Sequence, residues 1–409
     1  MILPHSPIVR PSARAPHRRA CAVLAVMLVC LPVAALARRS PAPPADPTVM
    51  PDITAPTAYM VDVNSGRVLF SRDAHRRFVP ASLTKIMTSY VAFELIAAGK
   101  LKLDQSFEMR NETFRKWHRV GSTMFLGNGS RTTVADLLEG IVTVSANDAC
   151  VVLAEGIAGS VPGFTAMMND AAKQLGLRDT HYNTPNGWMD EGQTYVSAAD
   201  LATLATALIT RHPDLYHRFY GHDRAEFNGI AQANHNPLYG HTPGADGVKT
   251  GFTGEAGYGF VGSVVRADRR IIFVLGGYGR PNDRAQQSRQ FAEWGFAAWD
   301  SHPIAPAGAS LGTARVQGGT VRSVNLVVPH AYAIATPHGV PPQYTLAVRY
   351  KAPLTAPIAQ GAPVASLIVR APGQPIQHLP LVAARAIASG GVFDRLRDGL
   401  AAMTGAVQP

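Results

Sequence analysis

Along the chain the spacing of hydrophobic positions changes several times, and each change marks an element. Ala58–Val63 and Arg67–Ser71 read as strands around Asn64-Ser65-Gly66, a turn signal that makes them a hairpin. From Ser82 to about Ala98 apolar residues fill most positions, which predicts a helix buried on nearly all sides. Ala135–Ile157 and Ser160–Leu175 read as two further helices, the second closed by Gly176. Asn183–Gln193 contains Pro185-Asn186-Gly187 and is a turn-rich loop, after which Ala198–Ile209 returns to helical spacing. Tyr258–Val265 and Ile271–Gly276 are apolar runs of strand length about the turn Asp268-Arg269-Arg270, and Ala285–Ala298 follows as a helix. This mixture of strands and helices predicts an α/β core up to about residue 300.

Beyond it the texture changes. Between Gly308 and Leu381, short runs such as Val324–Val328, Tyr344–Tyr350 and Val364–Val369 are broken by Gly and Pro, as in a small all-β domain. Ala386–Thr404 sets Val392, Phe393, Leu396, Leu400 and Met403 on one helical face. Asp394, Arg395, Arg397 and Asp398 cancel there, which leaves open a helix lying in a membrane surface and a helix docked on the β domain.

The first 37 residues hold Arg10, Arg14, Arg18 and Arg19 and no acid. His17-Arg18-Arg19 precedes the apolar run Ala20–Leu31, and Ala35 and Ala37 complete an A-x-A site. That order is a secretory signal, with an uncleaved anchor as the other reading, and both export the body of the chain. The expected organisation is a signal over 1–37, a Pro-rich linker over 38–52, a catalytic domain over 53–302, an all-β domain over 303–385 and an amphipathic helix over 386–409, a candidate membrane anchor.

Composition narrows the class. With 46% hydrophobic and 16% charged residues in 409, the chain is too apolar to be disordered, and its mean hydropathy of +0.03 excludes a polytopic membrane protein. The formal charge of +10 falls to +6 without the first 37 residues, a mild excess suited to an anionic surface or polymer. No basic run with interleaved aromatics and no zinc-finger spacing occurs, so no nucleic-acid partner is expected. Of three cysteines, Cys21 and Cys30 lie in the signal; Cys150 remains alone in an apolar run and reads as an inert buried thiol.

Three short motifs carry candidate chemistry. Ser82-Leu83-Thr84-Lys85 is the only Ser-x-x-Lys in the chain, and positions i and i+3 share a helical face. A serine hydroxyl needs a neighbouring base to become a nucleophile, and a desolvated lysine near another cation can be neutral enough to serve. Alone, a capping serine and a solvated lysine explain the spacing better. Ser145-Ala146-Asn147 offers a hydroxyl and a carboxamide that together can relay a proton and hold an amide; Ser323-Val324-Asn325 matches too, as strand alternation in the β region. Lys249-Thr250-Gly251 offers a cation and a hydroxyl for a carboxylate, with a glycine against which substrate backbone can lie.

In this order the motifs resemble those of the low-molecular-mass penicillin-binding proteins that are serine-type D-alanyl-D-alanine carboxypeptidases. The likeness runs from about Ala58 to Trp299 through the strings PASLTKIMTSY, SANDAC, NTPNGWMDEGQTYVSAADLA and DGVKTGFTGEAGY. It implies a sheet flanked by helices, followed by the β domain and terminal helix of the membrane-attached members. It implies Ser82 as the acylated nucleophile, Lys85 as general base and Ser145 as proton shuttle to the leaving D-alanine. Asn147 would hold the substrate amide and Lys85; Lys249, Thr250 and Gly251 would orient the substrate; the backbone N–H groups of Ser82 and Phe252 would form the oxyanion hole. Arg284 stands where relatives fix the terminal carboxylate, with Arg280 and Arg289 as competitors. Some relatives have histidine where Phe252 stands.

The implied reaction removes the terminal D-Ala from peptidoglycan stem pentapeptides without metal or organic cofactor, with β-lactams as covalent inhibitors and a periplasmic setting. A D,D-endopeptidase on peptidoglycan cross-links and a β-lactamase are the near alternatives. The loop acids Asp179, Asp190 and Glu191 lack the pattern expected around a deacylating glutamate. A zinc peptidase would need more than His235 and His241, which have no H-E-x-x-H. A wall-binding protein without catalysis is opposed by intact Ser82, Lys85 and Lys249.

Overall fold

The computed structural model describes residues 46–372 and 375–391. A five-stranded antiparallel sheet runs in the order Arg67–Arg72, Thr57–Asp62, Arg269–Tyr278, Gly257–Arg266, Ala245–Thr253. The hairpin at Asn64-Ser65-Gly66 therefore docks beside strands more than 200 residues later, and Met60 pairs with Phe273 across that junction.

The central strands are apolar without alternation because both faces are covered. On one face the helix Pro281–Ala297 sets Phe291 edge-on to Phe273 at 5.6 Å, beside Met60, Phe260 and Leu275. On the other, Val261, Ile272 and Val274 meet the helix Ala198–Arg211 through Leu201, Leu204 and Leu208. Behind that helix lie Lys85–Ala97, Val134–Thr143, Asn147–Ala158 and Val161–Leu175. Every residue from Lys85 to Phe93 is buried, as the near-continuous apolar run predicts.

Three local expectations change. The nucleophile helix starts at Lys85, not Ser82: Ala81–Thr84 is a 3₁₀ turn, entered through Ala81 at φ +48°. The single helix read over Ala135–Ile157 is two, broken at Ser145, whose φ is +63°. The linker read over 38–52 is already attached to the core at Thr48, whose carbonyl accepts from Trp294 Nε1. Met50, Ile53 and Ala55 pack with the Phe291 cluster, and the Arg72 guanidinium binds the Ile53 and Ala55 carbonyls.

The second region begins at Trp299. The ribbon Trp299–Ala305 with Tyr332–Pro337 leads to a six-stranded sheet in the order Thr345–Arg349, Pro363–Arg370, Gln377–Ala383, Ser323–Val327, Ser310–Gln317, Leu354–Thr355. Its core includes Val316, Leu326, Leu367 and Leu381. Ala386–Gly391 is extended rather than helical, with Ile387 bridged to Ile358 and Ser389 to Gly319. The rest of the expected terminal helix, and the signal over 1–37, lie outside the described residues.

The N-terminal hairpin ties the two regions together. Asn64 Nδ2 donates to the Asp268 and Ala331 carbonyls at 2.8 Å each, and Asn64 O accepts from Ala333 N. Arg67 donates to Ala335 O at 2.7 Å and lies over the Trp299 ring.

Candidate active site

The site forms where three elements converge on the start of the Lys85–Ala97 helix. The 3₁₀ turn presents Ser82; its Oγ lies 2.8 Å from Lys85 Nζ. The break between two helices presents Ser145 and Asn147. Because the chain passes through the left-handed region at Ser145, both its carbonyl and its hydroxyl turn toward the same amine. Lys85 Nζ lies 2.8 Å from Ser145 O, 3.1 Å from Ser145 Oγ and 2.7 Å from Asn147 Oδ1. The strand Ala245–Thr253 presents Lys249, Thr250 and Gly251 across the turn. A β-carbon on Gly251 would stand 2.7 Å from Pro80 O, so only glycine lets strand and turn approach this closely.

Electrostatics follow from burial. Lys85 is 1% exposed, and loss of solvent pulls its amine down to about 8, with small opposing pulls from Cys150 and Asp148. Lys249 is held well below the usual lysine range by burial and then by the charges of Lys85 and Arg284. Burial pushes the Cys150 thiol up to about 12, in keeping with an inert side chain.

Around these groups lies a cleft of about 520 Å³, lined in part by Ser82, Ser145, Asn147, Thr250, Phe252 and Arg284. Of the three competing arginines only Arg284 lines it. Arg280 pairs with Asp283 at 2.9 Å, and Arg289 Nε donates to Pro237 O at 2.8 Å. Arg284 lies over the Tyr258 ring at 5.5 Å, and Tyr258 stacks on Phe252 at 4.1 Å, so arginine, tyrosine and phenylalanine form a ladder on one wall. Phe252 is 52% exposed at its top.

Several residues here were given no part in this chemistry by the sequence. Asp148, 1% exposed, accepts from Met124 N and Leu126 N at 3.1 and 3.2 Å and so anchors the loop that brings Gly121 and Ser122 to the cleft. Asn147 Nδ2 donates to Val120 O in that loop at 3.0 Å. Trp188 and Met189 enter from the 183–193 loop, and His235 stands near Lys249 and Arg284. Among the described residues no aspartate or glutamate lines the cleft. Asp179 pairs with Arg77, and Asp190 is bound to Thr194 through both oxygens. Among the described residues no group of three His, Cys, Asp or Glu gathers as metal ligands would.

A serine held against a buried amine, with a second hydroxyl and a carboxamide on that amine, is the apparatus of a serine acyl-transfer enzyme that does without histidine. Residues 44–278 match the D-alanyl-D-alanine carboxypeptidase family, and residues 299–389 match the C-terminal domain of penicillin-binding protein 5. The D-alanyl-D-alanine carboxypeptidase DacD of Salmonella typhimurium is 35% identical over 85% of this chain and 90% of its own. The crystal structure of penicillin-binding protein 5 from Haemophilus influenzae is similar at a TM-score of 0.66 and 33% identity, over 83% of this chain and 99% of that one. Penicillin-binding protein D2 of Listeria monocytogenes, solved in its ampicillin-bound form, is similar at 0.54 and 28%, over 61% of this chain and 99% of that one. The chain belongs to the D-alanyl-D-alanine carboxypeptidase family of low-molecular-mass penicillin-binding proteins.

Proposed function

We propose that this protein is a serine-type D-alanyl-D-alanine carboxypeptidase that removes the terminal D-Ala from peptidoglycan stem peptides through an acyl-enzyme on Ser82. The observation that carries the reading is the contact of one buried amine with Ser82, Ser145 and Asn147 in a cleft lined by Arg284 and, among the described residues, by no carboxylate. Such a cleft favours a ligand that brings its own negative charge next to an acyl carbon. A peptide C-terminus does so, and so does a β-lactam carboxylate.

The proposed steps give each residue the role that the resemblance to the family implies. Lys85, lowered by burial, takes the Ser82 proton as Oγ adds to the penultimate carbonyl. The backbone N–H groups of Ser82 and Phe252 receive the oxyanion. Ser145, on the same amine, passes the proton to the leaving nitrogen of D-alanine. Asn147 holds the substrate amide, Lys249 and Thr250 orient the chain along the strand at Gly251, and the Arg284 fork takes the terminal carboxylate. Water then releases the shortened peptide. Among the described residues the cleft lacks the glutamate with which class A β-lactamases activate water, which favours the carboxypeptidase reading over a β-lactamase.

The family setting supports an exported protein acting on the cell wall, and we place it in the periplasm, attached at the membrane through the residues after Gly391. Labelled penicillin and a D-Ala-D-Ala tripeptide test the reading. The wild-type protein is expected to form a stable adduct and release D-alanine, and Ser82→Ala to do neither. An adduct that survives in Ser82→Ala would refute Ser82 as the nucleophile.

A further inference from the structure

Charge is not spread evenly over this chain. Residues 38–300 carry 26 basic and 26 acidic side chains and are neutral as a whole. Residues 301–393 carry Arg315, Arg322, Arg349, Lys351, Arg370 and Arg385, and not one aspartate or glutamate. The whole excess of +6 beyond the first 37 residues therefore sits on the β domain. All six cations are exposed, and among the described residues none has a carboxylate partner.

The same domain concentrates exposed apolar side chains. Ten large hydrophobic residues stand exposed among the described residues, and five of them are Val340, Tyr344, Leu346, Val348 and Ile376. They gather about Thr345–Arg349, an edge strand with every residue exposed. Leu346 pairs with Val369 and Val348 with Leu367, so they continue the face of the buried core past the edge of the sheet. Arg349 and, across the pair, Arg370 point to the opposite face, and Lys351 follows the strand. A cation cluster alone would suit any polyanion. Cations beside exposed Leu, Val, Ile and Tyr suit a surface that is anionic outside and apolar just beneath.

We infer that the edge of the β domain around Thr345–Arg349 is a docking surface for an anionic phospholipid bilayer, separate from the chain beyond Gly391. Contact is shallow. Leu346, Val348 and Ile376 reach the headgroup boundary while Arg349, Lys351 and Arg370 meet phosphates, because the open edge of a strand cannot enter hydrocarbon without leaving its backbone groups unbonded.

The test uses the full exported chain, so that the segment after Gly391 is the same in every sample. Sedimentation with phosphatidylglycerol-containing vesicles is compared with neutral phosphatidylcholine vesicles and with isolated peptidoglycan. Wild type is expected on the anionic vesicles, with binding weakened by salt. R349Q/K351Q/R370Q is expected to bind roughly a hundred-fold more weakly, since each charge near such a surface counts for about five-fold. L346S/V348S is expected to weaken binding to the same vesicles. Both variants should retain penicillin labelling of Ser82, which reports an intact fold and separates this test from that of the enzymatic reading. Wild-type vesicle binding by both variants, equal binding to neutral vesicles, or a loss confined to peptidoglycan would each overturn the inference.

Discussion

Below about pH 8 the buried Lys85 amine keeps its proton, and a protonated amine cannot take another from Ser82. The sign follows from the shift: a lysine lowered by burial is neutral above its folded value and charged below it. Penicillin acylation of Ser82 is therefore expected to rise about ten-fold per pH unit up to about pH 8 and then level off. A stopped-flow profile checks this, and Lys85→Arg, which stays charged throughout, should lose acylation at every pH. Arg284 gives a second prediction. Arg284→Ala should raise KM for peptides with a free C-terminus far more than for amidated ones, by roughly ten- to hundred-fold, the range for a charged hydrogen bond. Sequence chose Arg284 over Arg280 and Arg289 by the resemblance alone; the partners that hold the other two elsewhere, the nearby Asp283 for Arg280 and the distant Pro237 O for Arg289, appear only in the structure.

Elements were legible where periodicity alone decides them. The hairpin at Asn64-Ser65-Gly66, the buried helix after Ser82 and the paired strands about Asp268 read directly from spacing. The break at Ser145 did not, because Val142-Thr143-Val144 continues the apolar run and a left-handed residue leaves no mark in hydrophobicity. The price of that break is met by its surroundings, Asp148 among them. Asp148→Asn keeps one acceptor and should leave one of the Met124 and Leu126 N–H groups facing an amide NH2, lower stability by about 1–3 kcal/mol and slow acylation, read by thermal melting and penicillin labelling. Gly187 is the other hidden hinge. Its φ is +72°, and a β-carbon there would stand 1.8 Å from Ala81 O. Gly187→Ala is expected to displace the Ser82 turn and abolish D-alanine release even where the protein still folds.

At the scale of the whole molecule, one asparagine on the first hairpin joins the sheet turn at Asp268 to the β domain at Ala331. Asn64→Ala is expected to leave both cores intact and loosen their junction, so that calorimetry resolves two transitions where the wild type has one. The α/β-then-β layout was legible from the change of texture near residue 300. The junction was not, because it depends on contacts across more than 200 residues that no local pattern encodes.

Four oxygens surround the Lys85 amine, on Ser82, Ser145 (two) and Asn147. An ammonium has three hydrogens and an amine two, so one oxygen is always left over, and a neutral lysine leaves over two. The hydroxyl of Ser82 can then turn its own hydrogen inward and fill the gap. Attack and its reversal thus differ at this cluster by the address of a single hydrogen, with every heavy atom already at its post. Acylation should accordingly slow in heavy water while remaining indifferent to solvent viscosity.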